Sequence, residues 1–405
     1  MPKMTRIALI TVPTPTYNNV RAASALPYHL ILGARENGEC EVRVWSYNTN
    51  AIDAAGISEV EHALDTKIHL LSTPWWYRWL FRLHLVFLRV FLRYPMLAYC
   101  KLSREAVAEV EAFDPDVVWV YGEELAVLMK HFPGRRRVMT MPDCEAMYYH
   151  RALATDFLTT RRLQIARYAF AYWQYRSMDR RAYHAAKDGS LPVTYHFVGD
   201  ADAAFFRDIN KDADAVFLRH PHYAWRDRPI HFHAPKIRLL FAGRYDIYSQ
   251  HGSDDLLSAM LRADDLREHY EVTFLGKGWE KWHERLSGAG WTSAVITFAD
   301  DYIAELHRHD IQVNAIDLGT GTKGKVLDAI TNGLLAFGTY FALENIAVSH
   351  GESCILYDTP AQAVDILRAI PAAPSRYEDM ARRGRDAVLA EHSRKKIAAA
   401  LFFAK

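Results

Sequence analysis

Cysteine is scarce in this chain and scattered along it. Cys40, Cys100, Cys144 and Cys354 are four among 405 residues, and no two form a Cys-x-x-Cys pair. That spacing argues against a zinc motif and a disulfide framework, and it fits a reducing, cytoplasmic setting. No run of about 18 uninterrupted apolar residues occurs, so a membrane-spanning helix is not expected. The start, MPKMTRIALITV, passes from charge straight into an apolar strand without a small-residue cleavage site, so a secretory leader is not expected either. An excess of one charge is also missing. With 49 basic against 48 acidic residues the net charge is +1, and no global field points to nucleic acid.

Apolar residues make up half of the chain and aromatics 13%, enough for large cores, and the length exceeds what one core usually organises. Two domains are expected: residues 1–224 and 235–384, with AWRDRPIHFHAP as the connector and a terminal helix, 385–405 within Arg376 to Lys405, returning to the first.

The most informative stretch is Ile311 to Thr339, IQVNAIDLGTGTKGKVLDAITNGLLAFGT. Ile311 to Asp317 reads as a buried strand, Leu318 to Lys323 as a glycine loop, Lys325 to Thr331 as a helix with Val326, Leu327 and Ile330 on one face, and LLAFGT as a second strand after the stop at Gly333. In such a β-loop-α-β unit, the loop and first helical turn favour an anion, because unpaired N–H groups and the helix dipole converge there. Lys323 and Lys325 add positive charge. Asp328, three residues beyond Lys325, supplies a carboxylate able to accept hydroxyl hydrogen bonds. A phosphorylated sugar or nucleoside satisfies both needs; a glycine turn with solvated lysines is the plain alternative.

The run GTGTKGKVLDAITNGLLAFGT resembles the nucleotide-binding segment of GT-B glycosyltransferases, most of all glycosyltransferase family 4. The resemblance implies an α/β, GT-B fold of two Rossmann-like domains flanking an interdomain cleft, with a nucleoside-diphosphate sugar on the second domain and the acceptor on the first. It places Asp328 at the second Glu of the family's paired-glutamate motif, on the ribose hydroxyls, and leaves Thr320 where the first Glu would stand. Gly243-Arg244, ending the strand IRLLFAG, resembles the family's Gly-Arg, whose arginine grips the donor diphosphate with bidentate geometry. The companion Lys-Gly is replaced by His251-Gly252, so Lys323 or Lys325 is expected to restore the charge. The helix SDDLLSAML that follows is expected to be capped by Ser253. Thr322, Gly276 in the turn Gly276-Lys277-Gly278, and Glu344 complete the donor-side set that the resemblance implies.

In GT-B proteins the loop after the first strand faces the interdomain cleft, so the resemblance makes Tyr17, Asn18 and Asn19 candidate acceptor contacts, with a plain turn as the alternative, and an apolar helix is expected from about Ala22 to Asn37. Glu123 and Glu124 sit at the mouth of DVVWVYGEE, where open α/β sheets place ligands, with helix capping as the plain alternative for one of them. TMPD matches the family's Thr-x-His-Asp with Pro142 in place of histidine. Asp143 remains, and with Glu123 it is the catalytic candidate. Two Asp-x-Asp runs, Asp200 to Asp202 and Asp212 to Asp214, fall at helix-like surface positions rather than at a GT-A metal motif. The helical stretch Arg151 to Ala186, with Arg161, Arg162 and Arg167 among its arginines, reads as packing with a solvated face rather than as a nucleic-acid surface.

Trp75 to Leu97 is expected to be one helix, with Arg78, Arg82, Arg89 and Arg93 in a ~60° stripe beside a broad aromatic face. Such a helix suits an anionic membrane surface, and a lipid-linked saccharide acceptor of bacterial surface-polysaccharide assembly, as readily as a core. The expected activity is metal-independent, cofactor-free hexosyl transfer by a cytoplasmic, peripherally attached enzyme. A sugar-nucleotide epimerase of the same architecture, and an inactive nucleotide-binding subunit lacking the Thr320 and Pro142 functions, are the alternatives.

Overall fold

The computed structural model describes residues 4–19, 23–38, 40–155, 162–247 and 249–404. Arg161 and the expected helix start at Ala22 lie outside these residues. The chain forms two compact units, Met1–Pro221 with Arg394–Lys405, and His222–Ser393.

The first unit is built on a parallel sheet of order β3-β2-β1-β4-β5-β6-β7. Its strands are β1 Thr5–Thr11, β2 Cys40–Ser46, β3 Lys67–Leu70, β4 Val117–Tyr121, β5 Arg136–Met141, β6 Val193–Phe197 and β7 Asp214–Phe217. Central strands such as VVWVY in β4 are buried at every position, as expected of a sheet covered on both faces. Ala8, Ile10, Val118 and Val120 join one core, while Ile7, Leu9, Val117 and Trp119 join another. Pairing β1 to both β2 and β4 puts the topological switch point between β1 and β4.

The second unit has the parallel order β10-β9-β8-β11-β12-β13, formed by β8 Ile237–Ala242, β9 Tyr270–Leu275, β10 Thr292–Ile296, β11 Ile311–Asn314, β12 Leu335–Gly338 and β13 Ile355–Leu356. Its switch point lies between β8 and β11, which pair directly.

Three expectations about local structure are corrected. The C-terminal stretch is not one helix. Pro374–Glu391 ends at His392, which is fully buried and accepts a hydrogen bond from the Ala347 N–H at 3.0 Å, so the second unit holds that end. Only the helix Arg394–Ala398 and the wide turn Ala399–Phe403 pack on the first unit, where Phe402 meets Trp119 and Arg136 donates to the carbonyls of Leu401 and Phe402.

Ser253 does not cap its helix, which begins one turn earlier at Gln250 after Ser249, leaving Ser253 buried in the interior. Asp254 cannot cap it either, because its Oδ1 accepts from Tyr245 and Trp282. Trp75 to Leu97 breaks into a helix Trp75–Arg82 and two 3-10 turns, Val86–Phe91 and Met96–Tyr99. His84 stops the helix by adopting a left-handed backbone with φ 55°, and Pro95 prevents its resumption, so the single arginine stripe does not exist.

Candidate functional site

In the second unit, the loops leaving β8 and β11 meet at the switch point. Gly243 (φ 134°) ends β8 and Gly276 (φ 143°) ends β9, both in backbone regions that favour glycine. A Cβ on Gly276 would fall 2.1 Å from the Gly243 carbonyl oxygen, so the approach of these two loops requires glycine there. Trp279 fixes the same corner by donating from Nε1 to the Gly243 carbonyl at 2.8 Å. The Arg244 side chain beyond it is exposed.

The helix after β11 runs from Gly324 to Thr331, and its start has no side-chain cap. The amide dipoles of its first turn therefore face outward beside the β8 loop. Lys325, in that turn, is exposed, and its Nζ reaches within 3.9 Å of the point a Cβ on Gly243 would occupy. Of the two lysines expected to replace the missing cation, Lys325 is the one brought to Gly243-Arg244.

Lys323 is turned inward. Its Nζ lies 3.1 Å from Glu344 Oε1 and donates to the carbonyls of Thr320 at 3.0 Å and Gly321 at 3.3 Å. Asn345 holds the Gly321 carbonyl as well. Lys323 and Glu344, both expected on the donor, pair with each other and set the shape of the loop that carries Thr322. The reason is local: two loop carbonyls and a carboxylate surround the ammonium, and together they outcompete solvent for it.

Asp328 is half-buried, and burial pushes its carboxyl up to about 7, opposed by Lys325. Asp328 lies close enough to Tyr302 for its charge to oppose ionisation of the phenol, and the Tyr302 hydroxyl is buried with no hydrogen-bond partner. Sequence reasoning missed Tyr302; its position at a helix start after a strand was the available signal. His251 pairs with Asp317 at 3.1 Å, and Gly252 packs so tightly that a Cβ would sit 2.6 Å from the Asp317 carboxylate.

In the first unit, the corresponding switch point joins the loops after β1 and β4. Gly122 (φ 105°) lies against Val12, with a Cβ placed 2.6 Å from its Cγ2. Tyr17 is 53% exposed and packs on Tyr28 and His29. Asn18 is exposed, with its carbonyl bound by Thr16 and Ser24. Asn19 is spent on the scaffold, its Oδ1 accepting from the Ala25 N–H at the start of helix Ala25–Glu36.

Glu123 departs furthest from expectation. It is 4% exposed, and its Oε2 accepts from the Glu145 N–H at 3.3 Å, capping the helix Glu145–Leu153. A buried carboxyl held this way does not face a substrate, so Asp143, half-buried just beyond β5, is the remaining catalytic candidate. Of the Asp-x-Asp residues, Asp200 lies exposed at the start of the helix Asp200–Ile209, as expected, whereas Asp202 on the same helix is buried and accepts from the Cys144 N–H, and Asp214 lies in β7 rather than on a helix.

Sequence reasoning also missed a groove. Tyr77, Tyr94, Tyr149, Tyr175, Arg167 and Glu124 line it together with Arg89, and burial raises the Glu124 carboxyl. Tyr168, Ala171 and Tyr175, on one face of helix Arg162–Lys187, were its legible signal. The 3-10 turns that replace the expected helix supply Arg89 and bring Met96 and Leu97 to the same wall.

Residues 254–402 match the family model described as glycosyl transferase-like. No curated protein sequence matches the chain. Among solved structures, sucrose-phosphate synthase from Thermosynechococcus elongatus superposes with TM-score 0.65 at 12% identity, covering 98% of this chain and 97% of that one. HepE of Anabaena in complex with UDP gives 0.61 at 11% identity, with 98% of each chain covered. The E. coli trehalose-6-phosphate structure bound with UDP-2-fluoro glucose gives 0.54 at 11%, again with 98% of each covered. The fold is therefore GT-B, two Rossmann-like units on parallel sheets. Within that class, the second unit carries a glycosyl transferase-like sequence over the β-loop-α-β element that holds Lys325 and Asp328.

Proposed function

We propose that the protein is a glycosyltransferase that moves a sugar from a UDP-linked donor, bound by the second unit, to a saccharide acceptor held by the first. The observation that carries this reading is the approach of Lys325 Nζ to Gly243 at the β8–β11 switch point, beside an uncapped helix start. Arg244, Lys325 and the helix amides supply positive potential where a leaving diphosphate gathers charge, so transfer proceeds without a catalytic metal. Asp328 and the unpartnered Tyr302 hydroxyl provide acceptor and donor groups for a ribose. UDP is the nucleotide in the HepE complex and part of the ligand in the trehalose-6-phosphate structure, which supports uridine as the base.

The acceptor site is the tyrosine-lined groove of the first unit, where flat rings stack on sugar faces and Glu124 accepts hydroxyls. Trp75, Phe87 and Phe91 are 79%, 64% and 81% exposed, and Arg78, Arg82, Arg89 and Arg93 are exposed among them. An aromatic, cationic surface of this kind binds an anionic leaflet and suits a lipid-linked acceptor of surface-polysaccharide assembly. No helix among the described residues is long and apolar enough to cross a membrane.

Incubation of the protein with UDP-sugars, with and without saccharide acceptors, tests the reaction class. Acceptor-dependent UDP release supports transfer. Conversion of the donor into its epimer without acceptor supports an epimerase, and turnover of no donor under any condition leaves an inactive binding subunit.

A further inference from the structure

Glu123, Cys144 and Asp179 come from three elements of the first unit. Glu123 follows β4, Cys144 follows β5, and Asp179 projects from the helix Arg162–Lys187. One potential ligand atom from each, two carboxylate oxygens and the Cys144 Sγ, lies within 4.8 Å of the others. All three side chains are buried, Asp179 and Cys144 completely.

Three oxygens in this cluster lack hydrogen bonds: Oδ1 and Oδ2 of Asp179, and Oε1 of Glu123. Among the described residues, no positively charged group acts on either carboxyl. The charged groups that Asp179 and Glu123 feel most strongly are Glu124, Glu145 and each other. Leaving acidic oxygens dry and unpaired is costly, and native interiors rarely tolerate one.

A proton shared between the two carboxyls is the simplest remedy, and the side chains are close enough for it. It pairs two of the three oxygens, leaves the third, and does not involve the Cys144 sulfur, which accepts from the Met147 N–H. A divalent cation engages one oxygen of each carboxylate and the Cys144 sulfur together, and supplies the positive charge that a shared proton does not. Zinc takes thiolate sulfur at about 2.3 Å and carboxylate oxygen at about 2.0–2.2 Å, so the three atoms, within 4.8 Å of one another, draw closer on binding. The mixed sulfur and oxygen set favours a borderline ion such as zinc over magnesium or calcium.

We propose that Glu123, Cys144 and Asp179 form a structural zinc site that ties β4, β5 and the helix Arg162–Lys187 together behind the acceptor groove. Zinc loads as the unit folds, since the ligands are closed to water, and each ligand loses its proton on binding. The site is independent of the donor site and takes no part in sugar transfer.

The test is metal content. Full-length protein expressed with zinc supplied, then dialysed, is analysed by inductively coupled plasma mass spectrometry beside Cys144→Ser and Asp179→Asn. About one zinc per chain in the parent and at least a tenfold loss in both variants is expected. Parent refolded from denaturant with cobalt(II) should show a sulfur-to-cobalt charge-transfer band, and parent refolded with chelator should melt lower than parent refolded with zinc. The refolding arm needs no variant, so a variant that fails to fold leaves the test intact. A parent that holds neither zinc nor cobalt and melts at the same temperature with and without them overturns the proposal, and leaves the shared proton as the account of the cluster.

Discussion

The Lys323 ammonium lies 3.1 Å from Glu344 Oε1, with both side chains withdrawn from water, 13% and 4% exposed. This buried pair spans the glycine loop and fixes its path, because the same ammonium also binds two loop carbonyls. Removing one partner of such a pair strands a charge in a dry site at a cost of roughly 3–5 kcal/mol, while replacing both with apolar groups of similar size is often near neutral. Glu344→Gln and Lys323→Met should each lower the denaturant midpoint strongly, and the double variant Lys323→Met/Glu344→Leu should recover most of the loss. Chemical denaturation of the four proteins checks this. Equal midpoints in all four would show that the pair does not hold the loop.

Arg244→Ala and Lys325→Ala should each weaken UDP binding about tenfold or more, since a charge-assisted hydrogen bond contributes roughly 1.5–3 kcal/mol. Both side chains are exposed, so the melting temperature without ligand should stay near that of the parent. Calorimetric titration of UDP separates the two effects. Parent-like affinity in both variants would move the diphosphate elsewhere.

Asp328 gives the site a pH dependence with a definite sign. Its folded-state carboxyl is raised to about 7 by burial, above the ordinary value of 3.8, so between those values the folded protein holds a proton that the unfolded chain has released. Stability without ligand should therefore fall as pH rises from about 4 to about 7, and Asp328→Asn should flatten that slope. UDP affinity should run the other way, strengthening as the carboxylate forms near pH 7 and accepts ribose hydroxyls. In Asp328→Asn the pH effect should vanish with a milder loss of affinity than in Asp328→Ala, because an amide oxygen still accepts. Titrations at a pH well below and a pH well above that value are sufficient to see it.

The surface from Trp75 to Phe91 should bind anionic vesicles and release them at high salt. Each arginine near headgroups contributes roughly 1 kcal/mol, so changing Arg78, Arg82, Arg89 and Arg93 to glutamine should abolish flotation, while Trp75→Ala with Trp79→Ala should reduce it. Absence of flotation with both anionic and neutral vesicles would remove the membrane from the account.

What was legible in the sequence is what local chemistry determines. The expected strand, loop, helix and strand from Ile311 to Thr339 appear as Ile311–Asn314, Gly324–Thr331 and Leu335–Gly338, with Gly333 (φ 86°) as the stop. Apolar runs and glycines at fixed offsets carry that information within a few residues.

What was not legible depends on partners distant in the chain or on single backbone angles. Lys323 and Lys325 look alike in sequence, and the loop carbonyls together with Glu344, 21 residues on, separate the buried clamp from the exposed lysine. Glu123 looks like a strand-mouth carboxylate until Asp179 and Cys144 close over it. The Trp75 to Leu97 pattern keeps helical spacing throughout, yet one left-handed residue, His84, reorganises it into a wall of the tyrosine groove.

The central claim is that the β8–β11 switch point binds a nucleoside diphosphate, and thermal unfolding with UDP, GDP, CMP and dTDP tests it most directly. At a hundred times its dissociation constant, a ligand confined to the folded state adds about 2.7 kcal/mol, a shift readily seen in melting temperature. UDP should give that stabilisation in the parent, and Lys325→Ala should lose most of it at the same concentration. No stabilisation by any of the four nucleotides, up to millimolar concentration, would contradict the account.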